Sequence, residues 1–294
     1  MLEILTNNVH TLKANSLIEM YNDKLPSIQT VILNGLSDAI RTETKSIIAA
    51  WKTQRLYVRI CVSDNEYPHA YAQICLSSVW ESAIGTLLEK AKADRGFKHY
   101  DVTIQPFLCE SSSGAILCKN NMTILEAVDG NGFTLHRLGQ YAIRIIEDES
   151  NISIERASQK ESHRWSIDLH GKGGYTFTEK SELNINEMKI LLDYRLSNNS
   201  MYEFCIYEGN VLFLEKKAIS ENTFFFNLTP NKREFIVYQG DESDIDRQYF
   251  EYPKLSHIPL LNKKSDTVLV NGAYLSHLSY YAYANQYSCR FIVS

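Results

Sequence analysis

The chain has 294 residues and a mass of 33.8 kDa, a length that predicts two domains at roughly 150 residues each. Hydrophobic residues make up 44% and charged residues 22%, which is typical of a globular protein and excludes a disordered or fibrous chain. With 30 Lys and Arg against 35 Asp and Glu, the net charge is −5. This argues against a broad nucleic-acid or anionic-membrane surface, which needs many cationic contacts to phosphates.

The cysteines and the apolar segments indicate the compartment. Six cysteines, at positions 61, 75, 109, 118, 205 and 289, lie without CxxC spacing, which favours reduced thiols over disulfides or zinc ligands. No apolar run approaches the ~20 residues needed to span a bilayer, and residues 1–13 lack the features of a signal peptide. We therefore expect a cytoplasmic protein of mixed α/β structure.

Apolar periodicity and turn residues predict the elements in chain order. Helices are predicted over 12–22 and 77–95. Strands are predicted over 31–33, 102–108, 115–118, 123–127, 141–146 and 234–238. After Ile219 the chain becomes Phe/Asn-rich, and an acidic loop follows over 240–247. This change of composition predicts a domain boundary near residue 220.

A predicted hairpin over 202–217 carries the first candidate site. A three-residue loop over 208–210, with Asn210 in the left-handed conformation, would place Glu203 opposite Glu215 and Lys217 on the same face. Opposed carboxylates repel each other in a sheet unless a cation lies between them. Mg²⁺ with nucleotide phosphates is a natural candidate, because proteins hold Mg²⁺ with one or two carboxylates plus phosphate oxygens. The alternative is a solvated hairpin face that tolerates its like charges.

A histidine near the C-terminus carries the second candidate site. A strand over 267–270 and a turn over 271–274 lead to a predicted helix that opens with Leu275, Ser276 and His277. The N-terminus of a helix offers free N–H groups and a positive dipole to an anion, and an imidazole there can carry a phosphoryl group. Ser276 would cap the helix or hydrogen-bond the phosphate. The alternative is an ordinary cap, since Leu-Ser-His recurs at 255–257 without this setting.

Taken together, these motifs resemble the phosphoenolpyruvate synthase, pyruvate phosphate dikinase and rifampin phosphotransferase group. In that group an ATP-grasp domain phosphorylates a histidine on a swivelling domain. The segments that carry the resemblance are 13–20 with 25–26 and 31–32, 57–59 with 63–64, 102–108 with 113–114, the hairpin, and 266–277. The resemblance implies an α+β protein with an ATP-grasp domain over 1–219 and a small α/β phosphohistidine-type swivelling domain over 220–294.

The resemblance also implies roles for individual residues. Lys13 and Arg59 would contact the ATP phosphates, and Lys217 would stand where the group has a phosphate-binding arginine. Glu203 and Glu215 would hold Mg²⁺. The residues implied to line the adenine pocket are Gln105, Phe107 and Leu108. His277 would take a phosphoryl group from ATP, with AMP as the nucleotide product.

Several positions depart from the pattern of the group. Residues 10–12 replace the glycines before Lys13, Ile60 and Cys61 replace serines, and Tyr283 replaces an arginine after the histidine. The retained residues favour an ATP-dependent phosphotransferase whose acceptor is a small molecule or a group on a partner protein. The losses favour a degenerate pseudoenzyme that binds nucleotide or a partner. An ATP-grasp ligase is a third hypothesis, which leaves the His277 motif unexplained.

Overall fold

The structure is a computed structural model that describes residues 1–63, 70–94, 97–108, 112–149, 151–157, 162–167, 173–178, 183–219, 234–236, 247–251, 267–271, 273–276 and 288–292. The chain divides into two compact units. The first unit contains Met1–Cys109, Leu169–Gly171 and Leu212–Lys216, and the second contains Glu110–Asp168, Lys172–Val211 and Lys217–Ser294. This division groups the C-terminal residues with the middle of the chain. A separate domain from residue 220 stays a prediction.

The described residues of the first unit form a five-stranded sheet and three helices. Its elements are β1 (Leu2–Ile4), α1 (Leu12–Asn22), β2 (Thr30–Leu33), α2 (Asp38–Ala50), β3 (Arg55–Val62), β4 (Ala70–Leu76), α3 (Trp80–Asp94) and β5 (Tyr100–Pro106). The strand order is β1-β2-β5-β3-β4. Strand β1 runs parallel to β2, and the other neighbours are antiparallel.

One face of this sheet forms the apolar core of the first unit. Trp80, Ile84 and Leu87 recur at helical spacing on α3 and are buried in one cluster with Val58 and Ile104 of the central strands. Burial of such large apolar side chains is worth roughly 1.5–3 kcal/mol each. The opposite face of the same strands is therefore left for other contacts.

The second unit contains an antiparallel sheet. Its elements begin with β6 (Ser112–Lys119), β7 (Met122–Asp129), α4 (Phe133–Leu138), β8 (Ile143–Glu147), β9 (Ile152–Arg156), β10 (Ser162–Ile167), β11 (Gly173–Thr178), α5 (Ile185–Ile190) and a 3₁₀ turn (Leu191–Asp193). They continue with β12 (Ser200–Tyr207) and β13 (Asn210–Ala218). The six-stranded sheet has the order β13-β12-β6-β7-β8-β9, and β10 pairs with β11.

Four further strands belong to the C-terminal part of the chain. They are β14 (Glu234–Ile236), β15 (Arg247–Glu251), β16 (Thr267–Asn271) and β17 (Ser288–Ile292), in the order β14-β17-β16-β15. Strands β15, β16 and β17 are parallel, and β14 is antiparallel to β17. In the part of the chain that the structure describes, no helix has the length and apolar character needed to cross a membrane.

Most of the predicted elements are present, and the protein is mixed α/β as expected. The helix predicted over 12–22 is α1, and the one predicted over 77–95 is α3. Helix α2 was not predicted, although Ser37 caps it by accepting a hydrogen bond from the Ile40 N–H. Within the described residues, the strand predicted over 234–238 covers Glu234–Ile236.

The turn of the predicted hairpin differs from the prediction. Only Glu208 and Gly209 separate β12 from β13, with φ values of +50° and +73°. Two successive left-handed residues are typical of the two-residue type I′ turn, whose twist matches that of the strands. Asn210 is not left-handed but begins β13. A two-residue turn pairs Tyr207 with Asn210, so the predicted loop no longer supports placing Glu203 opposite Glu215.

Candidate functional site

Strands β3 and β5 present a polar face in the first unit. Successive side chains of a strand point to opposite faces. The residues that alternate with the apolar core are Tyr57, Arg59, Cys61, Asp101, Thr103 and Gln105. The register places Tyr57 opposite Gln105, Arg59 opposite Thr103, and Cys61 opposite Asp101. Because buried polar groups are costly without partners, such a face needs hydrogen bonds, ion pairs or a ligand.

Lys13 lies in the first turn of α1 and is only 6% exposed. Its ammonium group forms an ion pair with the carboxylate of Glu215, whose side chain is 12% exposed. Glu215 is brought there because β13 is held against the segment before β2. The N–H of Phe213 donates to the Pro26 carbonyl at 2.7 Å. Two of the predicted site residues are therefore in direct contact in the first unit.

Arg59 projects from the same polar face. Its guanidinium lies 4.8 Å from the centre of the Tyr57 ring. Burial disfavours its charged form, but Tyr57 and Glu215 favour it more strongly, and the pKa of Arg59 is raised. The structure thus brings Lys13, Arg59 and Glu215 into one electrostatic neighbourhood, although 46 residues separate the first two in the sequence.

The thiol of Cys61 lies close to the same charged groups, which affect its pKa. Burial raises the pKa of its thiol to about 11, against the opposing effect of the Arg59 and Lys13 cations. Asp101 and Glu215 raise this pKa further. The thiol is therefore neutral at pH 7 and is not suited to act as a nucleophile.

The residues predicted to line an adenine pocket lie at the end of β5 and just beyond it. Gln105 is buried and donates from its amide nitrogen to Thr30 Oγ1 at 3.0 Å. The N–H of Phe107 donates to the Arg55 carbonyl at 2.9 Å, and Phe107 and Leu108 are half-buried. The adenine pocket itself stays a prediction.

A second Lys–Glu pair lies in the second unit. Lys217 Nζ lies 2.5 Å from Glu203 Oε1, and these side chains are 10% and 13% exposed. His136 of α4 is also buried, with its Nε2 3.9 Å from the same carboxylate oxygen. Glu203 and Lys217 were predicted as site residues, whereas His136 was not. An isolated histidine in a short helix gives no sequence signal for such a role.

Sequence reasoning also missed a buried charge network in the second unit. Glu126 and Arg144 are 0% and 1% exposed. Arg144 Nε donates to Glu126 Oε1 at 2.8 Å, and Arg144 Nη2 forms an ion pair with the same oxygen at 2.6 Å. The guanidinium carbon lies 3.9 Å from the centre of the Tyr141 ring and 3.3 Å from that of Tyr274. The available signal was a charged residue inside each of two apolar strands, Thr123–Val128 and Ile143–Ile146.

The same network holds the turn before the predicted phosphohistidine. The N–H groups of Tyr274 and Leu275 donate to the two carboxylate oxygens of Glu126 at 2.9 and 2.8 Å. Ser276 is completely buried. Tyr274 and Leu275 form a turn and Ser276 a bend, so the predicted helix does not begin before His277. His277 itself, with the rest of that predicted helix, lies outside the described residues.

The candidate metal ligands belong to different units, Glu203 to the second and Glu215 to the first. Among the described residues, no group of three or more His, Cys, Asp or Glu side chains is arranged to hold a metal ion. Carboxylate oxygens are nevertheless the donors that Mg²⁺ prefers, and Mg²⁺ bound with a nucleotide takes several ligands from phosphate and water. The chemistry of Glu203 and Glu215 therefore fits Mg²⁺·nucleotide.

An open cavity of about 810 Å³ also lies in the first unit. It is found where the parallel strands β1 and β2 end, and its polar lining includes Asn8, His10, Asn34, Lys98 and His99. The rings of His10 and His99 stack at 4.5 Å. None of the predicted site residues that the structure describes lines this cavity.

Comparison with known families and curated proteins gives no match: no family model and no curated protein is similar to this chain. Solved structures do align with it. D-alanyl-alanine synthetase A from Vibrio cholerae O1 biovar eltor is 8% identical, with a TM-score of 0.40 over 71% of this chain and 55% of that one. The VanG D-Ala:D-Ser ligase from Enterococcus faecalis is 10% identical, with a TM-score of 0.39 over 70% and 52%.

The ATP-grasp ligase PsnB, complexed with its minimal precursor, is 10% identical, with a TM-score of 0.31 over 71% of this chain and 52% of that one. The chain spans about half the length of these three structures. TM-scores below 0.5 at such identities do not establish a common fold. The functional conclusion therefore depends on the residues of this chain.

Proposed function

We propose that the protein binds Mg²⁺·ATP through the polar face of its first unit and is an ATP-dependent phosphotransferase of the ATP-grasp type. The observation that carries this proposal is the convergence of Lys13, Arg59 and Glu215 on one polar face of the first unit. These are three of the residues for which the sequence resemblance implies contacts to phosphate and metal. A buried lysine and a half-buried arginine next to a carboxylate suit the negative charge of a metal-bound triphosphate.

Each residue of the proposed site has a distinct role. Lys13 and Arg59 bind phosphate oxygens, Arg59 through its planar fork of N–H groups. Glu215 supplies an oxygen ligand to Mg²⁺, which neutralises phosphate charge when it is bound. The sequence resemblance implies the same role for Glu203 of the second unit. Gln105, Phe107 and Leu108 form the wall for the adenine. Catalysis by such a site is mainly positioning and charge stabilisation of an in-line transfer.

The ion pairs seen in the structure are compatible with nucleotide binding, which would give Lys13 and Glu215 new partners. Lys13 is paired with Glu215, and Lys217 with Glu203, so each candidate metal ligand already contacts a candidate phosphate ligand. In the first unit, binding of Mg²⁺·ATP would replace the Lys13–Glu215 contact by a Lys13–phosphate and a Glu215–Mg²⁺ contact. No charged group is then left buried without a partner, which would cost several kcal/mol.

We further propose that His277 accepts the phosphoryl group and passes it to an acceptor, a small molecule or a group on a partner protein. The imidazole nitrogen attacks the β-phosphorus, an N–P bond forms and the O–P bond to AMP breaks, which leaves a pyrophosphoryl group on His277. Water then attacks the γ-phosphorus, orthophosphate leaves, and a phosphohistidine remains. Support for this step comes from the sequence motif around His277 alone. It is therefore the part of the proposal for which a direct chemical test matters most.

The alternative function is that of a pseudoenzyme that binds nucleotide or a partner as a regulatory subunit. Lys217 in place of the group's arginine favours this alternative, because a lysine cannot bind phosphate in the bidentate manner of an arginine. The two closed Lys–Glu pairs are equally suited to a purely structural role.

One labelling experiment separates these functions. The protein is incubated with Mg²⁺ and ATP labelled in the β-phosphate, and AMP, ADP and protein-bound label are measured. We expect AMP and an acid-labile, base-stable adduct, because phosphohistidine differs in this way from phosphoserine. His277→Ala should abolish the adduct, and the control His257→Ala should retain it. Formation of ADP without an adduct would indicate a kinase or ligase. Absence of any ATP turnover would indicate the pseudoenzyme.

A further inference from the structure

Asp101 is a buried carboxylate that neither the sequence motifs nor the proposed roles include. It lies on the polar face of β5, directly opposite Cys61, and is 0% exposed. Its Oδ1 atom has no hydrogen-bond partner among the described residues. Burial of a carboxylate is costly in free energy unless hydrogen bonds or a nearby cation compensate its charge.

The other oxygen of Asp101 collects three hydrogen bonds from two adjacent residues. Oδ2 accepts from the His10 N–H at 2.9 Å, the Thr11 N–H at 2.7 Å and the Thr11 hydroxyl at 2.7 Å. These are charge-assisted bonds, which are roughly twice as strong as neutral ones. Asp101 therefore ties the loop before α1 to a central strand of the sheet.

The tied loop leads directly into the residue that the proposed function requires. Thr11 is the N-cap of α1, and its hydroxyl oxygen accepts from the Ala14 N–H at 3.4 Å. Lys13 follows two residues later, in the first turn, where its backbone position depends on the orientation of the cap. In the resemblance, this loop corresponds to the glycines of the group. Here the side chains of Asp101 and Thr11 fix the conformation of the loop by hydrogen bonds.

We propose that Asp101 is the positioning residue for Lys13. It fixes the N-cap of α1 to β5 and so holds the Lys13 ammonium group at the polar face, next to Glu215. This inference deepens the proposed function, on which its relevance to ATP binding rests. The placement of Lys13 can be measured without nucleotide. The positioning role of Asp101 and the proposed binding of ATP are therefore tested separately.

The test measures the reactivity of individual lysines in the full-length protein. Trace acylation followed by peptide mass spectrometry gives the rate for Lys13 relative to Lys45, whose side chain is 62% exposed. We expect Asp101→Asn to raise the relative rate for Lys13 by about tenfold, because weaker tethering allows local opening of the first turn. Thr11→Val, which removes one of the three bonds and the cap, should raise it by a smaller factor.

Ser37→Ala is the matched control, since it removes the N-cap of another helix in the same unit. It should lower the melting temperature to a similar degree without changing the relative rate for Lys13. An unchanged rate in Asp101→Asn, or in Thr11→Val if the former does not fold, would overturn the positioning role. An equal rise in Ser37→Ala would do the same, because it would show a general loss of stability.

The same measurement in the presence of Mg²⁺·ATP addresses the proposed function. Protection of wild-type Lys13 by Mg²⁺·ATP, with weaker protection in Asp101→Asn, is expected if Asp101 prepares Lys13 for phosphate. Absence of protection in the wild-type protein would contradict ATP binding at Lys13. It would leave the reactivity difference between wild type and Asp101→Asn as the measure of the positioning role.

Discussion

Glu215 shows how one carboxylate serves both folding and the proposed binding. Its ion pair with Lys13 is largely buried, and removal of one partner of such a pair leaves an uncompensated charge at a cost of about 3–5 kcal/mol. In the presence of Mg²⁺·ATP the same carboxylate would serve as a metal ligand. Loss of Glu215 should therefore affect both the stability of the protein and its response to the nucleotide.

We predict that Mg²⁺·ATP raises the melting temperature of the wild-type protein and that Glu215→Ala loses most of this rise. A ligand at about 100 times its Kd stabilises the native state by about 2.7 kcal/mol. Differential scanning fluorimetry with and without Mg²⁺·ATP measures the effect. Glu19→Ala is the control, because it removes a 59% exposed partner of the neighbouring Lys216 at 3.0 Å. An equal rise in Glu215→Ala would move the metal site elsewhere.

At the scale of elements, β7 and β8 are joined to the turn at 273–276 through Glu126 and Arg144. The two carboxylate oxygens of Glu126 accept from Arg144 and from two consecutive backbone N–H groups. The Ala273 N–H donates to the Gly139 carbonyl at 2.8 Å as well. This turn is therefore held against the six-stranded sheet by bonds that burial makes costly to break.

We predict that Arg144→Met destabilises the protein by about 3–5 kcal/mol, because it leaves the Glu126 carboxylate buried without its cation. Adding Glu126→Met should not restore stability, since the N–H groups of Tyr274 and Leu275 then lack an acceptor at about 1–3 kcal/mol each. Urea denaturation gives these free energies of unfolding.

Arg41→Ala provides the comparison for this network, because the Arg41 side chain is 43% exposed in its pairs with Asp38 and Glu81. It should change stability by less than about 1 kcal/mol. Recovery of wild-type stability in the Glu126→Met, Arg144→Met double variant would show that the ion pair stabilises only itself and does not hold the turn.

At the scale of the whole molecule, buried thiols link stability to pH. Cys61 has a folded-state pKa of about 11, raised by burial above the ordinary value of 9.0. The unfolded state therefore loses this proton first as the pH rises. The stabilisation by the neutral thiol is fully present below pH 9 and is lost as the pH approaches 11.

We predict that the free energy of unfolding falls between pH 8.5 and 11 and that Cys61→Ala reduces this fall by up to about 2.7 kcal/mol, the equivalent of two pKa units. Other groups titrate in this range, so the difference between the two slopes is the relevant quantity. Urea denaturation at several pH values measures it. Identical slopes would show that the thiol is not buried as the structure describes.

Sequence patterns determined the elements whose signal is local. The apolar spacing of α1 and α3 and the apolar runs of β2, β5, β6 and β7 follow directly from which faces are buried. Helix α2 and the two-residue turn escaped prediction. Their signals were a single cap at Ser37 and the choice between two loop lengths that both suit Glu208 and Gly209.

The sequence by itself also selected Lys13, Arg59 and Glu215 as a set, through short motifs in the order of a known group. Only the tertiary structure decided that they meet, because the pairing of β3 with β5 and the contact of β13 with the segment before β2 join residues up to 202 positions apart. Only the tertiary structure revealed the buried charged and titratable residues Asp101, Glu126, Arg144 and His136. The reason is physical: the role of a buried charge depends on the partner across the fold, and that partner leaves no periodic trace in the sequence.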